Sequence, residues 1–225
     1  MAAALLKRPL AVLRPEPGNA ATAARVVAAG RRALRLPLFA VAAVAWDRPD
    51  PAAHDALLLT SANAVRHGGA AMAAYRALPV HAVGAATAAA ARAAGFDVVA
   101  TGEQGAAALA QQALAGGMSR ALHFAGAERA VAVLPGVTRT VIVYQSAPLT
   151  IAPAALSALT GAIALVHSPR AGARLAELVA DRSAIALAAI SRGTADAAGA
   201  GWACVAVAPA PDDVALVATA LALAD

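Results

Sequence analysis

A chain of 225 residues with a formal charge of +5 and 60% hydrophobic side chains has room for one large domain or two small ones, and at first sight resembles a membrane protein. Much of the apolar excess is alanine, which helices carry at exposed positions. The longest uncharged stretch, Thr140–Pro169, is broken by Pro148, Pro153 and Gly161, so no spanning helix is expected. One cysteine excludes an intrachain disulfide, the five histidines lack metal-ligand spacing, and 3% aromatics without a basic run point to small acidic ligands rather than nucleic acid.

In chain order, Met1–Leu10 holds Lys7 and Arg8 without the long apolar region of a secretory signal and reads as a frayed end, while the single cysteine, Cys204, fits a reducing cytoplasm. A strand over 10–14 follows, then the turn Arg14-Pro15-Glu16-Pro17-Gly18 and a helix over 20–30. A strand over 33–39 leads to the loop Trp46–Pro51, where two prolines forbid regular structure and a hinge is expected. Next come strand 56–60, helix 62–76, strand 80–84, helix 86–94, strand 97–101 and helix 104–115. Gly116-Gly117 precedes strand 121–125, helix 127–135 and strand 139–145, with a second crossover at Ser146–Pro153. The last third runs helix 154–160, strand 162–167, helix 169–180, strand 184–190, helix 193–199, strand 203–208 and helix 212–223. Cys204, within Trp202–Val205, is expected in a buried strand as an inert core thiol.

Short apolar strands that alternate with helices imply an α/β fold with parallel sheets covered on both faces. The chain also repeats itself. Thr60-Ser61-Ala62 and Ser168-Pro169-Arg170 each end an apolar run, and Ser168 follows Ser61 by 107 residues. The same offset relates Val83-Gly84-Ala85-Ala86-Thr87 to Ile190-Ser191-Arg192-Gly193-Thr194. In parallel sheets, ligands lie beyond the carboxyl ends of the strands. Those ends are Arg14, Thr60-Ser61, Gly84, Gly126, Tyr144, Ser168 and Ser191. Such Ser, Thr and Gly residues are ordinary helix caps, but their recurrence points to paired rows of helix N-termini whose amides suit carboxylate or phosphate.

In order and spacing these motifs resemble the uroporphyrinogen-III synthase family over nearly the whole chain. The likeness rests on Leu13-Arg14-Pro15, Leu36-Pro37-Leu38, Thr60–Val65, Val83–Ala88, Val143-Tyr144-Gln145, Ser168–Ala171, Ile190–Ala195 and Pro209-Ala210-Pro211. It implies a bilobal molecule of two flavodoxin-like parallel-sheet domains of a duplicated half joined by a two-stranded connection. One domain would hold 1–38 and 149–225, the other 39–148. The sequence departs from the commoner pattern at Phe124-Ala125-Gly126, where an arginine often precedes the glycine, and at Ser191, often glycine.

The implied substrate is hydroxymethylbilane, a linear tetrapyrrole bearing an acetate and a propionate on each ring. It loses its terminal hydroxyl as water and closes with the last ring inverted, without metal or organic cofactor. Such a task is mainly one of holding the chain folded and excluding water. Tyr144 matches the family's implicated tyrosine, and a phenol, with an ordinary pKa of about 10, can donate at neutral pH. Thr87 and Thr194 would bind carboxylates through hydroxyl and amide, Ser61, Ala62, Gly84, Gly126 and Ser168 would contribute mostly through backbone, and Thr60, Ala85 and Ser191 are further substrate-binding candidates. Arg14 would pair a carboxylate with its fork, and Arg170 and Arg192, one residue into their loops, are lesser candidates. A monomer is implied, with transient contact to the hydroxymethylbilane synthase that supplies the unstable substrate, and no membrane or nucleic acid. A non-catalytic bilobal anion-binding or regulatory protein is the alternative.

Overall fold

The computed structural model describes residues 8–129 and 133–224. The chain divides into two compact units, one made of residues up to Ala40 and from Pro148 onward, the other of Val41–Ala147. The first unit opens with β1 (Leu10–Val12), α1 (Gly18–Ala28) and β2 (Ala33–Arg35). After β3 (Phe39–Ala43), the second unit runs β4 (Ala56–Leu59), α2 (Ala62–His67), β5 (Val80–Val83), α3 (Ala85–Ala93), β6 (Val98–Gly102), α4 (Ala106–Ala115), β7 (Ala121–Gly126) and β8 (Val137–Pro148). The first unit then resumes with α5 (Pro153–Ser157), β9 (Ile163–Val166), α6 (Pro169–Leu178), β10 (Ala186–Ala189), α7 (Arg192–Ala198), β11 (Cys204–Val207) and α8 (Asp213–Ala222).

The first unit's sheet has the order β11-β10-β9-β1-β2 with every pair parallel. Counted along that unit this is the flavodoxin-like order 2-1-3-4-5. The second sheet is β3-β8-β7-β4-β5-β6, parallel from β8 to β6. Taking β7 and β8 as its first two strands gives the same spatial order, so the second unit is the first with its chain entered at a different strand. β3 runs opposite to β8, since the Leu149 amide donates to the Leu38 carbonyl at 2.9 Å and the Val44 amide to the Val143 carbonyl at 3.1 Å.

Alternation along the strands builds the cores. In the first unit Ala11, Leu13, Ala164, Val166, Leu187 and Ala189 pack on one face against α6, α7 and Trp202. Leu10, Val12, Ile163, Leu165, Ala186 and Ala188 pack on the other against α1 and α8. Both faces are dry, which is why the strands read as unbroken apolar runs. In the second unit Leu57, Leu59, Val80, Ala82, Leu122 and Phe124 face the α2 and α3 side, and Leu58 faces Leu109 and Ala110 of α4.

Several expectations need correction. The single strand expected over 33–39 is two strands in two sheets, because Pro37 has no amide for a ladder and the Leu38 amide turns to the Leu13 carbonyl at 3.0 Å. The helix expected over 62–76 stops at His67, and a 3-10 stretch, Ala70–Tyr75, follows Gly69, whose φ of 74° favours glycine. The loop Trp46–Pro51 is no hinge between the units, because it lies within Val41–Ala147. Trp46 there packs on Phe124 at 5.3 Å between ring centroids, and its indole donates to the Gly68 carbonyl at 3.1 Å. Cys204 is exposed, not buried, because β11 is the edge strand of its sheet. The stretch expected as a helix over 127–135 opens as a 3-10 turn, Ala127–Arg129, and 130–132 lie outside the described residues, as does the frayed start up to Lys7.

Candidate active site

In the second unit the loops after β4 and β5 lead straight into helices. Ser61, extended at φ −156°, ψ 138°, accepts the Asn63 amide on its hydroxyl at 3.2 Å and caps α2. Gly84 starts α3 at φ 79°, where its carbonyl receives the Thr87 and Ala88 amides at 3.1 Å. The amides of Ala62, Ala85 and Ala86 have no partner among the described residues. They carry the positive end of their helices. Thr87 is buried at 5% exposure, and its hydroxyl has no partner among the described residues.

Tyr144 lies in β8 directly opposite Gly126 of β7. A Cβ added to Gly126 would stand 2.5 Å from ring carbons of Tyr144 and 2.8 Å from its hydroxyl, so the glycine makes room for the ring. On α2 the His67 ring stands 6.2 Å from the Tyr144 ring, tilted by 37°. Thr60 serves a different neighbour. Its hydroxyl meets Nε2 of His123 at 3.0 Å, and Thr140 meets Nδ1 of the same ring at 3.4 Å. Burial pushes the His123 imidazole down to about 4, so a neutral ring joins β4, β7 and β8.

In the first unit Ser168 caps α6 by accepting the Ala171 amide at 3.2 Å, with Pro169 in the first turn where an amide is spare. Arg170 lays its guanidinium 4.3 Å from the Phe39 ring centroid. Ser191 caps α7, and its hydroxyl shares a hydrogen bond with the Thr194 hydroxyl at 3.0 Å. Thr194 is 0% exposed. The two threonines that match in sequence therefore differ in availability.

Arg14 follows β1, and its guanidinium lies over Gly18, where any side chain would collide with it. One of its nitrogens meets Oδ1 of Asp213 at 3.5 Å. Asp213 also accepts the Thr22 hydroxyl at 2.6 Å, Arg25 at 2.6 Å and Nε2 of His167 at 2.7 Å. Burial alone would raise the Asp213 carboxyl, but Thr22, His167 and Arg14 hold it below the usual carboxylate range. Burial lowers His167, against the pull of Asp213.

The structure thus brings Tyr144 and Gly126 together where β7 ends, although Tyr144 is not the strand end expected, since β8 continues to Pro148; a second group, Arg14 and Ser168, lies at the ends of the paired strands β1 and β9. Sequence reasoning missed His67, His123, His167 and Asp213. A signal existed for one of them: Thr22 and Arg25 stand three apart on α1 and share a face, which a carboxylate can meet. Among the described residues, no group of three or more His, Cys, Asp or Glu is placed to hold a metal ion. None of the described helices is long and apolar enough to cross a membrane.

The uroporphyrinogen-III synthetase of Helicobacter pylori 26695 superposes with a TM-score of 0.66 at 16% identity, covering 96% of this chain and 99% of that one. A substituted uroporphyrinogen III synthase of the extreme thermophile Thermus thermophilus gives 0.50 at 19% identity, covering 96% and 98%. At these identities the likeness establishes the shared fold. No curated protein matches the chain significantly. The profile of the family described as uroporphyrinogen-III synthase HemD, however, matches residues 20–218. With that match taking in the whole second sheet, every strand of the first but β1, and every strand-end loop from β4 to α8, the chain belongs to the uroporphyrinogen-III synthase family, the enzymes of haem biosynthesis that cyclise hydroxymethylbilane to uroporphyrinogen III.

Proposed function

We propose that, in this cyclisation, Tyr144 is the acid that helps the terminal hydroxyl leave and that the loops after the strands of each unit hold the substrate's carboxylates. The observation that carries the reading is the Tyr144–Gly126 pairing, a phenol fitted against a bare backbone position at the end of β7. The hydroxyl of Tyr144 has no hydrogen-bond partner among the described residues, which leaves its proton available to a ligand.

Carboxylate binding divides between side chain and backbone. In the second unit the free amides of Ala62 and Ala85, the backbone at Ser61, Gly84 and Gly126, and the Thr87 hydroxyl are the contacts. Thr60 contributes backbone alone, since its hydroxyl is held by His123. In the first unit Arg14 offers the part of its fork that Asp213 leaves open, and Arg170, Ser168 and Ser191 stand at helix starts. Thr194 acts through its place in the capping turn, since its hydroxyl is buried against Ser191. The reading includes a cytoplasmic monomer that meets hydroxymethylbilane synthase transiently.

The test is a coupled assay that generates hydroxymethylbilane and resolves the two product isomers. Tyr144→Phe should lower kcat by about 100-fold, the low end of a general acid's contribution, while KM stays near its wild-type value. Unchanged turnover would remove Tyr144 as the acid, and a wild-type protein yielding only the uninverted isomer would remove the catalytic reading altogether.

A further inference from the structure

Loss of water from hydroxymethylbilane and closure of the ring leave the proton count balanced, but not at one place. The departing hydroxyl takes a proton as its C–O bond breaks. The pyrrole carbon that forms the new C–C bond gives up its own proton to become aromatic again. A single acid spent in the first event needs a base for the second.

We infer that His67 is that base, taking the proton from the ring carbon and returning it to the phenolate left on Tyr144. The inference rests on the reading of Tyr144 as the acid. Its own support is geometric: of the imidazoles among the described residues, His67 is the one in ring contact with Tyr144, at 6.2 Å between centroids. Neither ring nitrogen has a hydrogen-bond partner among the described residues, and the side chain is only partly buried, so a ligand can reach it. His123, by contrast, has both nitrogens engaged by threonines.

The surroundings keep His67 in the form a base requires. No carboxylate comes from α2, from α3 and β7 packed against it, from β8 or from the Ala70–Tyr75 turn. The charged or titratable groups those elements carry are Arg66, Arg92, His123, Arg139, Tyr144 and Tyr75, the last with its hydroxyl donated to the Pro49 carbonyl. Burial and then the Arg66 charge hold His67 below the ordinary imidazole value, so the ring is neutral at pH 7.

The experiment compares wild type, His67→Phe, His67→Ala and Tyr144→Phe in the coupled assay across pH 5 to 8. His67→Phe keeps a ring against Tyr144 and should lower kcat by about 100-fold with KM unchanged. The wild-type fall in kcat on the acid side, where His67 becomes protonated, should disappear in that variant. Added imidazole should restore turnover to His67→Ala in proportion to the neutral imidazole present, a result that reads the base even if the phenylalanine fails to pack. A wild-type rate in His67→Phe, an acid limb that survives in it, or an absence of imidazole rescue would overturn the proposal. A slow Tyr144→Phe beside a normal His67→Phe would sink the base alone. A normal Tyr144→Phe beside a slow, rescuable His67→Ala would instead remove the acid and leave His67 as the base.

Discussion

Gly126 owes its identity to a neighbouring side chain. Nothing about its own backbone demands glycine, since its φ is not in the left-handed region; the demand comes from the Tyr144 ring, 2.5 Å from where a Cβ would stand. In Gly126→Ala that ring must move or the strands must part. Overpacking of this kind costs about 1–3 kcal/mol, and a displaced phenol loses its register with the substrate. The variant should therefore lose both stability in urea and turnover. In a Tyr144→Ala background the same substitution should cost almost nothing, because the colliding ring is gone. A penalty that persists there would place the strain elsewhere and break the link between Gly126 and the acid. The matched threonines make the complementary point. Thr87→Ala should weaken product binding by about 1 kcal/mol, the worth of one hydroxyl contact. In Thr194→Ala, the hydroxyl lost is one that already faces Ser191.

At the scale of elements, the offset of 107 residues is a repetition of capped helix starts. Ser61 and Ser168 both sit in extended backbone and accept an amide from the first turn, and Gly84 and Ser191 start the next helices in turn. Ser168→Ala leaves an α6 amide without its acceptor and should cost about 1 kcal/mol, whereas Ser168→Gly should cost only a few tenths. Urea unfolding monitored at Trp202, which packs in the same core as α6, measures both; equal losses would mean that the hydroxyl does not cap. These starts were legible because strands buried on both faces are apolar runs and a cap follows each run. The family was legible in the order and spacing of these motifs, and the flavodoxin-like sheets followed only from that resemblance. What was not legible depends on partners distant in the chain. Pro37 divided an expected strand between two sheets, Gly68-Gly69 cut a helix short, and Cys204 was exposed by its place at a sheet edge. The Asp213 cluster joins residues up to 199 apart in the chain, and no local pattern announces it.

At the scale of the molecule, the two units share a strand order but not a distribution of buried titratable groups. His67, His81 and His123, all lowered by burial, lie in Val41–Ala147, and His167 is the comparable one in the other unit. The sign follows from linkage: a histidine held below its unfolded value refuses a proton that the unfolded chain accepts, so the stability it contributes is present above about pH 6.5 and lost as pH falls toward the folded value. For His123, at about 4, the loss between pH 7 and 5 comes to about 2 kcal/mol. Asp213 works in a lower window, because its carboxyl lies below the usual carboxylate range and keeps its partners well below pH 5. Acidification should therefore weaken the second unit before the first. Each unit carries one tryptophan, Trp46 in the second and Trp202 in the first, so Trp202→Phe and Trp46→Phe report the units separately. Between pH 7 and 5 the urea midpoint read from Trp46 should fall further than that read from Trp202, and His123→Leu should remove most of the difference. Equal shifts at the two reporters would mean either that the units unfold as one or that the buried histidines are already charged at pH 5, and the argument from His123 would fail.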